Sequence, residues 1–327
     1  MAPWQRLCLF TIAVWSLLSA LPGPAFTSPQ QKDENSGKIV FDLFDGKDRT
    51  GVFRADPNGD QLEKLLDPSP VVTAHRLSPD RGMLLYRRPV RGRDGKLERR
   101  LFLSVLTIKD KLTVDLEEDT QGHCWAPDSE HVFFARAPEP GTTEVLSVKP
   151  NSSERKILFQ LPHVAWLEDC SPDGKRLLLT IVGNDIMTLP PVRQKETDIF
   201  VVGRDGTGLT NLTRTHGLSL RPRFSPDGRR ILFVSLRSGT SQAYAMDADG
   251  QNAKQLTEFP VEGGRCSGAI YGCAWSPDGK RIAYSWNEFP PENAGRPKPP
   301  AIWIANADGS NAAPLAVGER ASSPDWR

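Results

Sequence analysis

Short apolar runs punctuated by turn residues fill the chain from about residue 37 onward. Arg230-Ile-Leu-Phe-Val-Ser235, Arg281-Ile-Ala-Tyr-Ser285, Arg176-Leu-Leu-Leu-Thr-Ile181 and His131-Val-Phe-Phe-Ala135 are rich in β-branched and aromatic residues and read as strands. One short phrase precedes each of them: an apolar or aromatic lead residue followed by Ser-Pro-Asp-Gly or a near relative. The leads are Leu77, Trp125, Cys170, Phe224, Trp275 and Trp326. Their spacing runs from 45 residues (Trp125 to Cys170) to 54 (Cys170 to Phe224). A period of about 40–50 residues marks a repeat array.

The phrase is a type I turn in chemical terms. Proline pre-sets φ near −65°, serine and aspartate hydrogen-bond the local backbone, and glycine takes a positive φ at no steric cost. A second turn follows in each unit, as in Ile199-Phe-Val-Val-Gly-Arg-Asp-Gly206, Ala243-Tyr-Ala-Met-Asp-Ala-Asp-Gly250 and Ile302-Trp-Ile-Ala-Asn-Ala-Asp-Gly309. Asp-Gly between apolar runs is a hairpin signal. A short run ending in Leu-Thr then closes the unit. Each unit is therefore four antiparallel strands, one propeller blade.

The last phrase has only its first strand, Ser322 to Arg327, and the missing second strand appears at the other end of the chain, as Gly37-Lys-Ile-Val-Phe-Asp42. The expected fold is all-β: a six-bladed β-propeller of four-stranded antiparallel blades. N-terminal strands complete the C-terminal blade and cover an otherwise exposed edge. The domain expectation is a signal peptide over 1–25, a disordered lead-in over 26–36 and the propeller over 37–327.

These residues resemble the WD-like propeller repeats of the TolB family. The aromatic-Ser-Pro-Asp-Gly phrase, the Ile-x-Phe/Tyr strand, the Asp-Gly hairpin and the terminal Leu-Thr carry the resemblance. It is sharpest from 199 to 327 and worn between 71 and 160, where Arg81, Ser129 and Glu130 replace parts of the turn. TolB itself has an α/β domain before its propeller, and the short lead-in here leads to the expectation that this domain is absent. The same repeat occurs in propellers of peptidases and lyases, so the resemblance implies a fold and leaves function open.

Composition adds a compartment. Arg6, the apolar stretch Leu7 to Leu21 and Gly23-Pro-Ala25 read as an export signal with a small-residue cleavage site. A retained anchor is the alternative, although fifteen apolar residues is short for a span. The expected location is periplasmic or extracellular, without stable membrane insertion once the leader is cleaved. Formal net charge is +1, which gives no general pull toward nucleic acid. In an oxidising compartment Cys266 and Cys273, in one loop, either bridge or stay free. Cys124 and Cys170, on the inner strands of neighbouring blades, pose the same choice.

Blade order separates two faces. Both tight turns of every blade fall on one face, and every long insert falls on the other: Arg87 to Arg100, Gly183 to Lys195, Phe259 to Tyr271 and Trp286 to Pro300. Loops on a rigid scaffold tend to carry function, so the long-loop face is the expected binding face; the alternative is neutral padding. Its candidate contact residues are the basic Arg88, Arg91 and Arg93 and the aromatic Tyr271, Trp286 and Phe289. Two positions before the lead, His75, His123 and Glu168 form either a metal set of imidazole and carboxylate ligands or inter-blade packing. One position before it, Arg76, Asp169, Arg223 and Asp325 suggest ion pairs around the axis.

No nucleophile elbow in its strand-to-helix setting, zinc-protease motif or phosphate-binding loop is present. The favoured expectation is an exported, non-enzymatic, monomeric scaffold that binds a protein or peptide and uses no cofactor. The alternative is a metal-dependent lyase or hydrolase acting on an acidic polysaccharide through His75, His123 and Glu168.

Overall fold

A computed structural model describes residues 37–44, 50–69, 73–91, 97–182, 197–214, 217–259, 261–262, 265–266, 268–288, 300–317 and 320–327. They form six four-stranded antiparallel sheets and one additional two-stranded ribbon, with no helix among them. Blade one comprises Thr73–Leu77, Met83–Arg91, Leu97–Thr107 and Thr113–Glu118; blade two His123–Trp125, Val132–Arg136, Thr143–Val148 and Lys156–Leu161. Blade three comprises Ala165–Cys170, Arg176–Val182, Thr197–Gly203 and Thr210–Asn211; blade four Ser219–Phe224, Arg230–Ser235, Gln242–Asp247 and Lys254–Gln255. Blade five comprises Gly268–Trp275, Arg281–Glu288, Ala301–Asn306 and Ala313–Pro314.

Blade six joins the two ends of the sequence. Its order is Ala321–Trp326, Ile39–Phe44, Thr50–Ala55, Glu63–Ser69. Ile39 pairs with Trp326 on one side and with Ala55 on the other. Lys38 N–H donates to the Arg327 carbonyl at 2.6 Å and Arg327 N–H to the Lys38 carbonyl at 3.0 Å, extending the seam.

The turns follow the chemistry of the phrase. In blade three Ser171 Oγ donates to Asp173 Oδ1 at 2.5 Å and accepts from Arg176 N–H at 2.9 Å. Ser225 and Asp227 repeat this with Arg230, and Ser276 and Asp278 with Arg281. In the worn blades the glycine corner is taken by Arg81 and Ser129, each at a positive φ (65° and 60°). The second turn shows why glycine recurs there. A Cβ on Gly309 (φ 90°) would lie 2.0 Å from the Leu256 carbonyl oxygen of blade four, so the hairpin tip touches the neighbouring blade's backbone.

A second repeated device ties blade to blade. Arg176 stacks over Phe224 at 5.2 Å, Arg230 over Trp275 at 4.5 Å and Arg281 over Trp326 at 4.9 Å. In each pair the arginine opens a second strand and the ring is the lead residue of the next blade. Arg176 and Arg230 also donate to the Gly228 and Gly279 carbonyls, both at 3.3 Å. The equivalent positions ahead of the apolar leads Cys170 and Leu77 hold His131 and Lys38. Ahead of the aromatic lead Trp125 the position holds Met83, so three of the four aromatic leads receive an arginine.

Around the axis, the expected ring of ion pairs gives way to a different arrangement. Asp169 Oδ2 accepts from Phe224 N–H at 2.9 Å, and Asp325 Oδ2 from Leu77 N–H at 2.8 Å. Each carboxylate therefore satisfies the backbone of the following blade's lead residue. Arg223 donates to the Glu168 carbonyl at 2.6 Å and lies 3.6 Å from its carboxylate.

Arg230→Ala removes a cation–π contact and a charge-assisted hydrogen bond across one blade interface, an expected loss of about 1–2 kcal/mol in urea unfolding. His131→Ala, at the matching position with no aromatic face beyond it, should cost only a few tenths of that order. Equal effects would mean that the stacked arginines do not hold blades together.

Candidate functional site

Antiparallel pairing within each blade places the links between first and second strands, and between third and fourth, on one face. The opposite face collects the second-to-third links and the passages between blades. The Arg87 to Arg100 insert is partly regular: its strands continue through Arg91 and resume at Leu97, with Pro89 opposite Leu101. The passage from blade four to five carries the small ribbon Val261–Glu262 and Arg265–Cys266.

Arg88 is committed within its own blade: its guanidinium meets both Asp115 oxygens and lies 5.5 Å over the Phe102 ring. Arg91 ends a strand, and its side chain lies outside the described residues, as do Arg93 and Phe289. Trp286 is half-buried and packed against aromatic neighbours. Its ring stacks on Phe259 at 4.5 Å, nearly parallel, and meets Trp303 edge-on at 5.5 Å. Tyr271 is 45% exposed on the inner strand of blade five.

The structure adds a residue that sequence reading missed. Trp166, 38% exposed, stands four residues before the lead of blade three, as Tyr271 does in blade five and Leu220 in blade four. The signal was available in the repeat phase: these apolar residues open inner strands, where blades one, two and six have Thr73, Gln121 and Ser322. Among the described residues the tight-turn face has a shallow depression of about 480 Å³ between blades four and five, bordered by Arg230, Lys254 and Lys280.

The candidate metal set does not assemble. His75 Nδ1 lies 3.0 Å from Asp42 Oδ1, bridging blades one and six. Glu168 accepts from Thr180 Oγ1 at 3.2 Å, and His123 is buried on blade two. No three His, Cys, Asp or Glu residues converge as ligands among the described residues. The inter-blade packing alternative describes His75 and Glu168.

Of the two alternatives for Cys266 and Cys273, the structure has Cys273 as a free buried thiol, and the Cys266 side chain lies outside the described residues. Burial pushes the Cys170 and Cys273 thiols up to about 12, and that of Cys124 well above its ordinary value. None is a thiolate nucleophile at neutral pH.

Burial also raises Glu168 and Asp169 above the usual carboxylate values, against the pull of Arg221 on the first and Arg327 on the second. For His75 burial lowers the pKa, but the Asp42 carboxylate, backed by Asp325, outweighs it and the net shift is upward.

The TolB beta propeller domain profile matches residues 124–326, more than half of the chain, and the chain belongs to this family. TolB from Acinetobacter baumannii superposes with a TM-score of 0.65 at 17% identity, over 89% of this chain and 67% of that one. An oligogalacturonate lyase in complex with manganese gives 0.51 at 15% identity, over 85% and 73%. These likenesses speak for the fold. By sequence, a dipeptidyl-peptidase 5 of Porphyromonas endodontalis is 30% identical over 117 residues, 35% of this chain and 15% of that protein. The chain thus aligns with a minor part of that curated relative's length.

The His75–Asp42 contact makes stability pH-dependent with a defined sign. Because the folded pKa of His75 is raised, its stabilisation is complete below the ordinary value of 6.5 and is lost as pH rises through the folded value. His75→Gln, which leaves Asp42 buried without a cation, should cost about 3 kcal/mol at pH 5.5 and markedly less at pH 9 in urea unfolding. A cost that does not change with pH would contradict a charged pair.

Proposed function

We propose that this chain is an exported, non-enzymatic β-propeller that holds a protein or peptide partner on its long-loop face. One observation carries the reading: the long connections and the exposed aromatics Trp166 and Tyr271 gather at the same end of the inner strands. Exposed aromatic surface on a rigid frame is the usual material of contact hot spots. The opposite face consists of short turns closed on their own backbone by serine and aspartate. Family membership and the likeness to TolB agree with a scaffold role. Export rests on the basic, apolar and small-residue order of residues 1–25, and implies a periplasmic or extracellular site of action. The lyase reading would need a ligand set other than His75, His123 and Glu168.

The test is photo-cross-linking in the full exported chain. A benzophenone amino acid at position 166 or 271 should yield discrete adducts with one partner. The same group at position 175 or 229, on the tight-turn face, should yield none. Adducts from both faces alike, or from the tight-turn face alone, would contradict the assignment.

A further inference from the structure

We propose that the central channel is a blind socket for the C-terminal carboxylate of a partner chain. Arg221 and Arg76 are its anion-binding groups, and Trp166, Leu220 and Tyr271 form an apolar rim for the residue before that carboxylate. The proposal rests on the binding reading above and names the chemistry of what is bound.

The rim follows from the repeat phase. Trp166, Leu220 and Tyr271 belong to three consecutive blades, so they form one arc at the channel mouth on the long-loop face. In blades two and six the corresponding residues are Gln121 and Ser322, so the facing arc is polar there. Such a mouth distinguishes one side of an entering chain from the other.

Directly below the rim stands Arg221. It sits in the register shift between Leu220 and Arg223 with φ 54°, a left-handed conformation uncommon for a side chain of this size. Among the described residues the guanidinium of this exposed residue has neither a hydrogen bond nor a carboxylate within 4.0 Å; its charge reaches the buried Glu168 from farther off. Its Nη1 lies across the blade boundary, 3.7 Å from where a Gly272 Cβ would be.

Deeper still, Arg76 is under-partnered as well. Its Nη1 donates to the His75 carbonyl at 3.2 Å, but its Nε is buried without a partner among the described residues. No described carboxylate lies within 4.0 Å of it. Its charge acts on His75, Cys124, Glu168 and Cys273, which belong to blades one, two, three and five, so the guanidinium stands near the axis.

The floor is closed by Arg327 of blade six. Its Nη2 reaches within 3.8 Å of Asp169 on blade three, the opposite blade, while its Nε lies 3.9 Å from Asp325. Among the described residues this contact between opposite blades obstructs the channel toward the tight-turn face. A through-strand does not fit a blind hole; a chain end does. Among the described residues neither guanidinium has a carboxylate within 4.0 Å, although the charge of both reaches the buried Glu168; a planar carboxylate, which accepts paired N–H donors, matches them. The apolar arc beside them suits a hydrophobic penultimate or terminal side chain.

The experiment uses the mature full chain and two probes, the peptide acetyl-Gly-Ser-Ala-Leu-Phe as the free acid and as the C-terminal amide. Titration calorimetry at low salt should show saturable binding of the acid, at least tenfold tighter than the amide. Arg221→Gln, on an exposed side chain and so safe for folding, should abolish that tenfold preference while leaving the weak amide binding unchanged. Trp166→Ala should weaken both peptides alike. Equal binding of acid and amide, an acid preference that survives Arg221→Gln, or no saturable acid binding at millimolar peptide would each overturn the socket. If any of these occurs while cross-links persist at positions 166 and 271, the socket fails and the scaffold reading stands. Loss of those cross-links would fall on the scaffold reading instead.

Discussion

Closure of the ring by the strand Ile39–Phe44 is the constraint on which the rest of the structure depends. Without it, Ala321–Trp326 and Thr50–Ala55 would each present an unpaired backbone edge, and a propeller has no other way to hide them. The strand fills that gap with apolar side chains as well as hydrogen bonds: Ile39, Val40 and Phe41 are all fully buried. The seam also aligns the axis. Trp326 receives Arg281, Asp325 binds the backbone of Leu77, and Asp42 meets His75, so blade six is tied to both neighbours by contacts that exist only when the two chain ends meet.

That closed ring divides the molecule into two unlike faces. On one, each turn consumes its own polar groups, and arginines and hairpin tips reach sideways to the next blade. On the other, the connections lengthen and the inner strands end in exposed aromatic or polar residues. Rigidity and recognition thus sit at opposite ends of the same strands. The axial groups belong partly to each: Asp169 and Asp325 serve the backbone, whereas Arg221 and Arg76 have no carboxylate within 4.0 Å among the described residues and act on the buried Glu168 from farther off. The chemistry left over after folding is concentrated in one place, a cationic channel beneath a half-apolar rim.

Most of the fold was legible in the sequence because each blade repeats a turn whose residues have individual physical reasons. Even the split sixth blade could be read, since Gly37-Lys-Ile-Val-Phe matches Gly279-Lys-Arg-Ile-Ala. The site was legible only in outline. Arg88 looked free in a basic loop, but strand continuation brings Asp115 opposite it. Trp286 looked like an anchor, but Phe259 folds over it from the preceding blade passage. His75 and Glu168 looked like ligands because their register matches; each instead binds a neighbour that only the ring brings near. Trp166 and Arg221 went unnoticed for the opposite reason. Arg221 matters through its exposure and a local register shift, which no composition or spacing encodes; Trp166 shares the repeat phase of Tyr271, but its exposure shows only in the folded ring.

The most direct measurement of this account is hydrogen–deuterium exchange of the free chain, resolved by peptide. A ring closed by its first strand predicts that amides of 39–44 exchange as slowly as those of the interior strand 230–235, through global unfolding alone. Fast exchange of 39–44 while 230–235 remains protected would show an open ring, and would contradict both the closure and the channel built upon it.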